Sequence, residues 1–403
     1  MIKRLPTENL EPKMYLADLN CDNIPHGVKQ EGIIDDGAMV TAIQDLGVKY
    51  VYIDTAKGPD GEGSEPVENI DKELDDEIAK DDAESHLVGS GVSVKEEMSK
   101  AVVIHRQAKQ VVTDMMRDIK ARRPIDVVVA RKVAAKLVES VGRNPDALLS
   151  LGLIRKKERY LTEHSVNVAV LLAIFAMSLE IENDVIEQLC IGALLHDAGK
   201  VFIPSEILHK PTGLSEEEFA VMRRHAKLTQ AVLERTPGLT SIALEVATQH
   251  SERVDGTGYP KGLKGDAITR FGRMIAVVDV YDAVTTDRVF KHKLIAKNAL
   301  KKLLEWSENK FDQELVHAFI RCMGVFPTGS LVTVKTGFLA LVVQQNLQEI
   351  KRPVIRYIYD IKQKRRIPPK EVDLSRSKQK DEILTCMDPQ KLKIKLEDFF
   401  MWE

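Results

Sequence analysis

The chain has 403 residues, 44% of them hydrophobic and 30% charged, with a formal net charge of −3. That length suits roughly two or three domains, and the near-neutral balance excludes a bulk electrostatic reason to bind a nucleic acid polymer. An anionic ligand therefore needs a local cluster of positive groups.

The N-terminal stretch MIKRLPTENLEPKMYL lacks the apolar segment of a secretion signal. Short alternating runs such as KYVYID predict a small strand-containing domain over residues 1–58. Residues 59–95 then turn acidic, bear Gly and Pro, and are poor in apolar side chains, which predicts a solvated linker. A connecting helix is expected over 96–123, with Ala101, Ile104, Ala108, Val111, Met115 and Ile119 in steps of three and four. Such a narrow stripe suits ordinary packing first, and second a dimer seam or a relay to a signalling partner.

From 124 to 335 the pattern is almost wholly helical. Ser215 followed by Glu218 predicts a capping box. The longest apolar run, Val168 to Met177, is about half of what a bilayer requires, so it reads as a core helix and no membrane insertion is expected. Beyond Gly329 the β-branched run predicts a short hairpin. The stretch KQKRRIPPKE, within a C-terminal extension over 336–403, reads as loosely held. The four cysteines are far apart and form no C-x-x-C pair, which suits reduced thiols and a cytoplasmic location. The fold class is mainly α, with strands at both ends.

The chemistry concentrates in one block. In ALLHDAGK an apolar helix ends in His196 and Asp197, with Gly199 beyond as a candidate left-handed cap. A carboxylate at the end of a buried helix is costly unless something compensates it. A metal ion would do so. His164, His225 and His250 sit at the inner edges of neighbouring helical patterns, and Asp279 interrupts the apolar run MIAVVDVYDAV. Each alone is more simply a hydrogen-bonded core residue. Together they form a mixed imidazole and carboxylate set, which suits Fe, Mn, Zn, Ni or Co rather than Ca or Mg.

The ordered pattern H…HDxGK…H…H…DGxGYP…D resembles the HD-GYP family, the branch of the HD metallophosphohydrolases devoted to cyclic di-GMP hydrolysis. The match covers roughly half the chain, including IPSEILHKP and DVYDAVTTDRVFK. The N-terminal region resembles the small domain often fused ahead of it. The resemblance implies an HD-type helical bundle and a two-metal phosphodiesterase that converts cyclic di-GMP to linear pGpG, GMP or both. Fe or Mn are the first expectation, with Zn, Ni or Co behind them.

By position, the resemblance implies that His164, His196, Asp197 and Asp279 hold the first metal. Asp197 bridges to a second, held also by His225 and His250. Lys200 would meet the scissile phosphate, with Asp197 as its catalytic neighbour. Arg288 and Lys291 would hold the ligand's phosphates, and Asp282 would support a ligand residue or meet guanine. In the turn-forming loop, Gly256 and Gly258 permit close approach, Pro260 stiffens it, and Tyr259 offers a ring and a hydroxyl to the nucleotide.

The pattern breaks at one position. Where the family usually carries a second histidine, this chain has Ser251, and water or Glu252 is expected to fill in. Ser251 also keeps open a receptor that binds cyclic di-GMP without turnover. A third reading is hydrolysis of a related cyclic dinucleotide. Tyr160 stands where some relatives place a third-metal glutamate, so two metals are expected.

Overall fold

The structure is a computed structural model. It describes all residues except 20–27, 30, 68, 70–90, 155–159, 211, 287–293, 347–348, 350, 377–380, 390–391, 393, 395–398 and 400–403. The chain divides into two compact units, one of Met1–Lys80 with Ser205–Val221 and the other of Asp81–Pro204 with Met222–Glu403.

In the first unit, strands β1 (Ile2–Pro6), β2 (Tyr15–Asp18), β3 (Gly32–Ile33), β4 (Tyr50–Asp54) and β5 (Glu65–Pro66) form one sheet in the order β3-β2-β4-β1-β5. Alternation explains β4: Val51 and Ile53 are fully buried while Tyr50 and Tyr52 are only partly so. Helix α1 (Gly37–Gln44), capped by Asp36, closes the core with Val40 and Ile43. The acidic stretch contributes structure that its composition hides. β5 pairs with β1, and Glu65 meets Arg4 at 2.9 Å. Within the expected linker, Glu65–Pro66 thus belong to the sheet; the core of that linker lies outside the described residues. The capping box is present, with the Glu218 amide donating to Ser215 Oγ and the Ser215 amide to Glu218 Oε2.

The second unit is a helical bundle followed by a sheet. Helix α2 (Val94–Lys120) buries Ala101, Ile104, Ala108, Val112, Met115 and Ile119. Its stripe is covered by α3 (Val127–Arg143), α4 (Pro145–Gly152) and α5 (Tyr160–Ser178), so packing within the chain accounts for it. Glu97, fully buried, locks α2 to α3 by accepting from Ser140 Oγ at 2.7 Å and from two Arg143 nitrogens at 2.7 and 2.9 Å. Helix α5 is apolar on nearly every side, and it is enclosed by α6 (Asn183–Leu195) and α10 (Arg270–Thr285). Its segment Leu161–Ser178 meets the length and composition of a membrane span, but it is mostly buried inside the bundle. Helix α7 (Ser205–Leu208) and the first residues of α8 (Glu216–Leu233) are counted with the first unit; the rest of α8, with α9 (Ser241–Gln249), α11 (Ala296–Ser307) and α12 (Gln313–Met323), completes the helical part of the second.

The predicted hairpin is present as β6 (Leu331–Val334) and β7 (Phe338–Gln344), but it is the centre of a larger sheet. β8 (Val354–Asp360), β9 (Arg365–Asp373) and β10 (Ile383–Met387) extend it in the order β10-β6-β7-β8-β9. The stretch read as loose is β9, paired to β8 from Val354↔Asp373 to Asp360↔Arg365. Its charges and its Pro368–Pro369 pair are those of an edge strand, which offers one side to solvent and tolerates missing donors. A boundary at residue 335 would therefore cut the sheet in two. Asp146, buried at the start of α4, joins the bundle to this sheet by accepting from Thr328 Oγ1 and from the Gln345 amide. Burial pushes its carboxyl up to about 6, against those two hydrogen bonds.

Candidate metal centre

Four histidines meet at the inner ends of α5, α6, α8 and α9, and each has its Nδ1 atom engaged. His196, His225 and His250 donate from Nδ1 to the carbonyl oxygens of Ala193, Met222 and Ala247, three residues back, at 2.7 to 2.9 Å. A carbonyl accepts only, so the proton sits on Nδ1 and Nε2 is left as a bare lone pair. His164 Nδ1 lies 2.7 Å from Asp282 Oδ2. All four Nε2 atoms face one buried space.

Asp279 and Asp197 supply the negative charge there. Asp279 Oδ1 lies 3.0 Å from His164 Nε2 and 3.6 Å from His196 Nε2. Asp197 stands between the two halves. Its Oδ2 is 3.5 Å from His196 and 3.7 Å from His164, while its Oδ1 is 3.6 Å from His225. The result is two contiguous clusters, His164–His196–Asp279 and Asp197–His225–His250, each with its ligand atoms within 4.8 Å of one another.

Three features fit a bound cation. His196 Nε2 and Asp197 Oδ1 are buried with no hydrogen-bond partner, a costly condition. The Nε2 atoms of His225 and His250 face each other at 3.3 Å, although both protons reside on Nδ1. Two lone pairs at that distance repel unless something positive lies near them. The protonation states also agree. Burial lowers His225 to about 4 and His250 to about 3, keeping both neutral. Burial opposes ionisation of Asp197, but Lys200 and three imidazoles outweigh it and hold the carboxyl well below its usual range. Asp279 is likewise lowered, its burial outweighed by His164.

These shifts have a consequence for the metal-free protein. The imidazoles stay neutral when folded and protonate when unfolded, so the unfolded state binds more protons and stability falls as pH drops from about 6.5 towards 4. Asp146 has the opposite sign: its raised carboxyl favours the fold as pH falls through about 6. Two imidazoles against one carboxyl leave a net loss of about 2 kcal/mol between pH 7 and 5. Urea unfolding in the presence of a chelator checks this.

The local sequence explains the placement. Helix α6 stops at Leu195, and a tight turn over Ala198–Phe202 swings Lys200 back to Asp197 Oδ2 at 2.6 Å. Gly199 was expected as a left-handed cap, but its φ is not positive. It is needed instead for close approach: a Cβ there would lie 2.7 Å from the Thr229 amide nitrogen and closer still to the His225 carbonyl oxygen. Thr229 secures the contact, accepting from the Gly199 amide at 2.8 Å and donating to the His196 carbonyl at 3.2 Å.

Asp282, one turn beyond Asp279, is fully buried. Both of its oxygens are engaged, one by His164 and the other by Asn167 Nδ2, an arrangement that suits support of a ligand residue. Asp282→Asn should weaken metal binding at the first cluster about 10- to 100-fold, measured by chelator competition. Asn167 was missed from the sequence, although a polar amide within the apolar run SVNVAVLL was its signal. Arg288 and Lys291 lie outside the described residues.

The Tyr259–Pro260 bond in the loop is cis, and Gly256 has φ +86°. Gly258 presses on the chain after α9, where a Cβ would meet Glu252 Cα at 2.5 Å. The Tyr259 ring stands edge-on to His225, with centroids 6.0 Å apart. Glu252 does not fill in as a ligand, because both its oxygens are bound to loop amides.

A helical bundle that turns four histidines and two aspartates onto one buried space defines a His–Asp metal-binding class. The family model described as "HD domain" matches residues 148–315, and a domain of unknown function (DUF3391) matches residues 2–130. The chain is 32% identical to a protein named cyclic di-GMP phosphodiesterase PA4108 from Pseudomonas aeruginosa, over 95% of this chain and 92% of that one. It is 44% identical to a cyclic di-GMP phosphodiesterase of Vibrio cholerae over 34% of this chain and 29% of that one. It is also 33% identical to a 3'3'-cGAMP-specific phosphodiesterase of V. cholerae, over 43% and 41% respectively. The chain belongs to the HD-domain family.

Proposed function

We propose that this chain is a metal-dependent phosphodiesterase that hydrolyses cyclic di-GMP to linear pGpG, GMP or both. The observation that carries the reading is the pair of clusters sharing Asp197, in a chain similar over almost its whole length to a cyclic di-GMP phosphodiesterase.

His164, His196 and Asp279 would hold one divalent transition metal, His225 and His250 a second, with Asp197 serving both. A mixed nitrogen and oxygen set of this kind suits Fe, Mn, Zn, Ni or Co, with iron or manganese first by the family resemblance. When bound, such a pair supplies polarisation of the scissile phosphate and a nucleophile at neutral pH. The protein's own part is to aim four imidazoles, His225 and His250 being kept neutral by burial, and to keep Lys200 beside Asp197. From there the ammonium can stabilise charge on the phosphate or the leaving oxygen. Tyr259, Gly258 and Pro260 would line the nucleotide's side of the site, with Arg288 and Lys291 as phosphate partners. We place this activity in the cytosol, in keeping with reduced cysteines.

Ser251 favours a second reading, a receptor without turnover, because it leaves the second cluster with three protein ligands. Three ligands and an open position are nonetheless a working catalytic arrangement, at least for zinc.

The test is turnover by protein purified without oxygen and loaded with iron or manganese, with products resolved by chromatography. Cyclic di-GMP and 3'3'-cGAMP are compared at equal concentration. Conversion of cyclic di-GMP supports the enzyme; tight binding without product in either metal supports the receptor; preference for the mixed ring redirects the substrate.

A further inference from the structure

The two residues after His250 are almost completely buried, Ser251 at 6% exposure and Glu252 at 1%, yet neither joins a cluster. Both are committed to the neighbouring loop. The Ser251 carbonyl accepts the Tyr259 amide at 3.2 Å. Glu252 Oε1 accepts the Lys261 amide at 2.8 Å, and Oε2 accepts the Leu263 amide at 2.9 Å. A buried carboxylate that takes two backbone N–H groups, one on each oxygen, is a strong and directional anchor.

We propose that Glu252, helped by the Ser251 carbonyl, is a positioning residue, a clamp that fixes the 256–263 loop and seats Tyr259 beside the second cluster to meet the cyclic dinucleotide. The ligand and the clamp lie in one run of three residues, so the turn that aims His250 also sets the loop. The Tyr259 amide is held by the Ser251 carbonyl, and its ring stands edge-on to His225. The ligand arm of the test rests on the cyclic di-GMP reading above; the exchange arm does not.

The full-length, metal-loaded protein is tested by hydrogen exchange of peptides covering 255–263 and by calorimetric binding of cyclic di-GMP. Metal content and melting temperature are followed alongside. Glu252→Gln can satisfy only one of the two amides, so exchange in the loop should rise about tenfold or more, and affinity should fall about tenfold. Ser251→Ala keeps the carbonyl that holds the Tyr259 amide, so it should leave loop exchange near wild type.

Wild-type exchange in Glu252→Gln would overturn the clamp. A lowered melting temperature with unchanged affinity in Glu252→Gln would reduce Glu252 to packing and overturn the positioning role. If the wild type binds no cyclic di-GMP, the functional reading fails, while loop exchange still decides the clamp.

Discussion

Asp197→Ala should empty both clusters and lower cyclic di-GMP turnover by on the order of a thousandfold or more. The reason is its position. Its Oδ2 faces His164 and His196 and its Oδ1 faces His225, all within 3.7 Å, and the side chain is 1% exposed. Removing it leaves Asp279 as the only cluster carboxylate among the described ligand atoms, with three of the four imidazoles having lost an anion within 3.7 Å. Lys200 loses its partner at 2.6 Å and becomes a positive charge beside the space that a cation would occupy. Asp197→Asn keeps the volume and separates charge from packing. A neutral amide presents one oxygen and cannot serve both clusters, so it should behave like the alanine variant. Metal quantification and product chromatography check both variants. Two retained metals, or turnover within about tenfold of wild type, would refute the shared-carboxylate account.

The residues brought together in the two clusters stand out in the sequence where they contradict their surroundings. His196 and Asp197 end an apolar helix, Asp279 breaks an apolar run, and His164 opens another. What could not be read is what holds them. Three of the four Nδ1 partners are backbone carbonyls, of Ala193, Met222 and Ala247, and a carbonyl leaves no mark on residue identity. Asp282 was legible as polar but not as engaged on both sides, since that depends on Asn167 and His164 meeting its two oxygens. Glu252 was misread for the same reason, because its partners are amides nine and eleven residues onward. The fold shows the parallel limit. Alternation placed β4, whereas β9 and β5 carry the charge and proline of exposed chain. Edge strands look like loops in composition, because a strand with one open side is kept from aggregating by those same residues.

Gly199→Ala should remove the second metal while sparing the first, which separates it from Asp197→Ala. A Cβ at this position would lie 2.7 Å from the Thr229 nitrogen and 2.9 Å from the His225 carbonyl carbon. Both are backbone atoms of α8 and cannot rotate away, so the helix must retreat from the turn. Over-packing of that kind costs about 1–3 kcal/mol, too little to unfold a protein of ordinary stability. The displacement nevertheless falls where the site is built. His225 is carried on the retreating helix, and the Thr229 hydrogen bonds from Gly199 and to His196 lengthen with it. His164, His196 and Asp279 come from α5, α10 and the end of α6, and Asp197 follows on the same turn; none of them moves with α8. One metal per chain should therefore remain, with turnover reduced about 100-fold or more by misplacement of the other half of the site. Metal counting alongside thermal unfolding checks this. Loss of both metals would mean that the two clusters fold as one unit, and retention of both would mean that α8 accommodates the methyl group without moving His225.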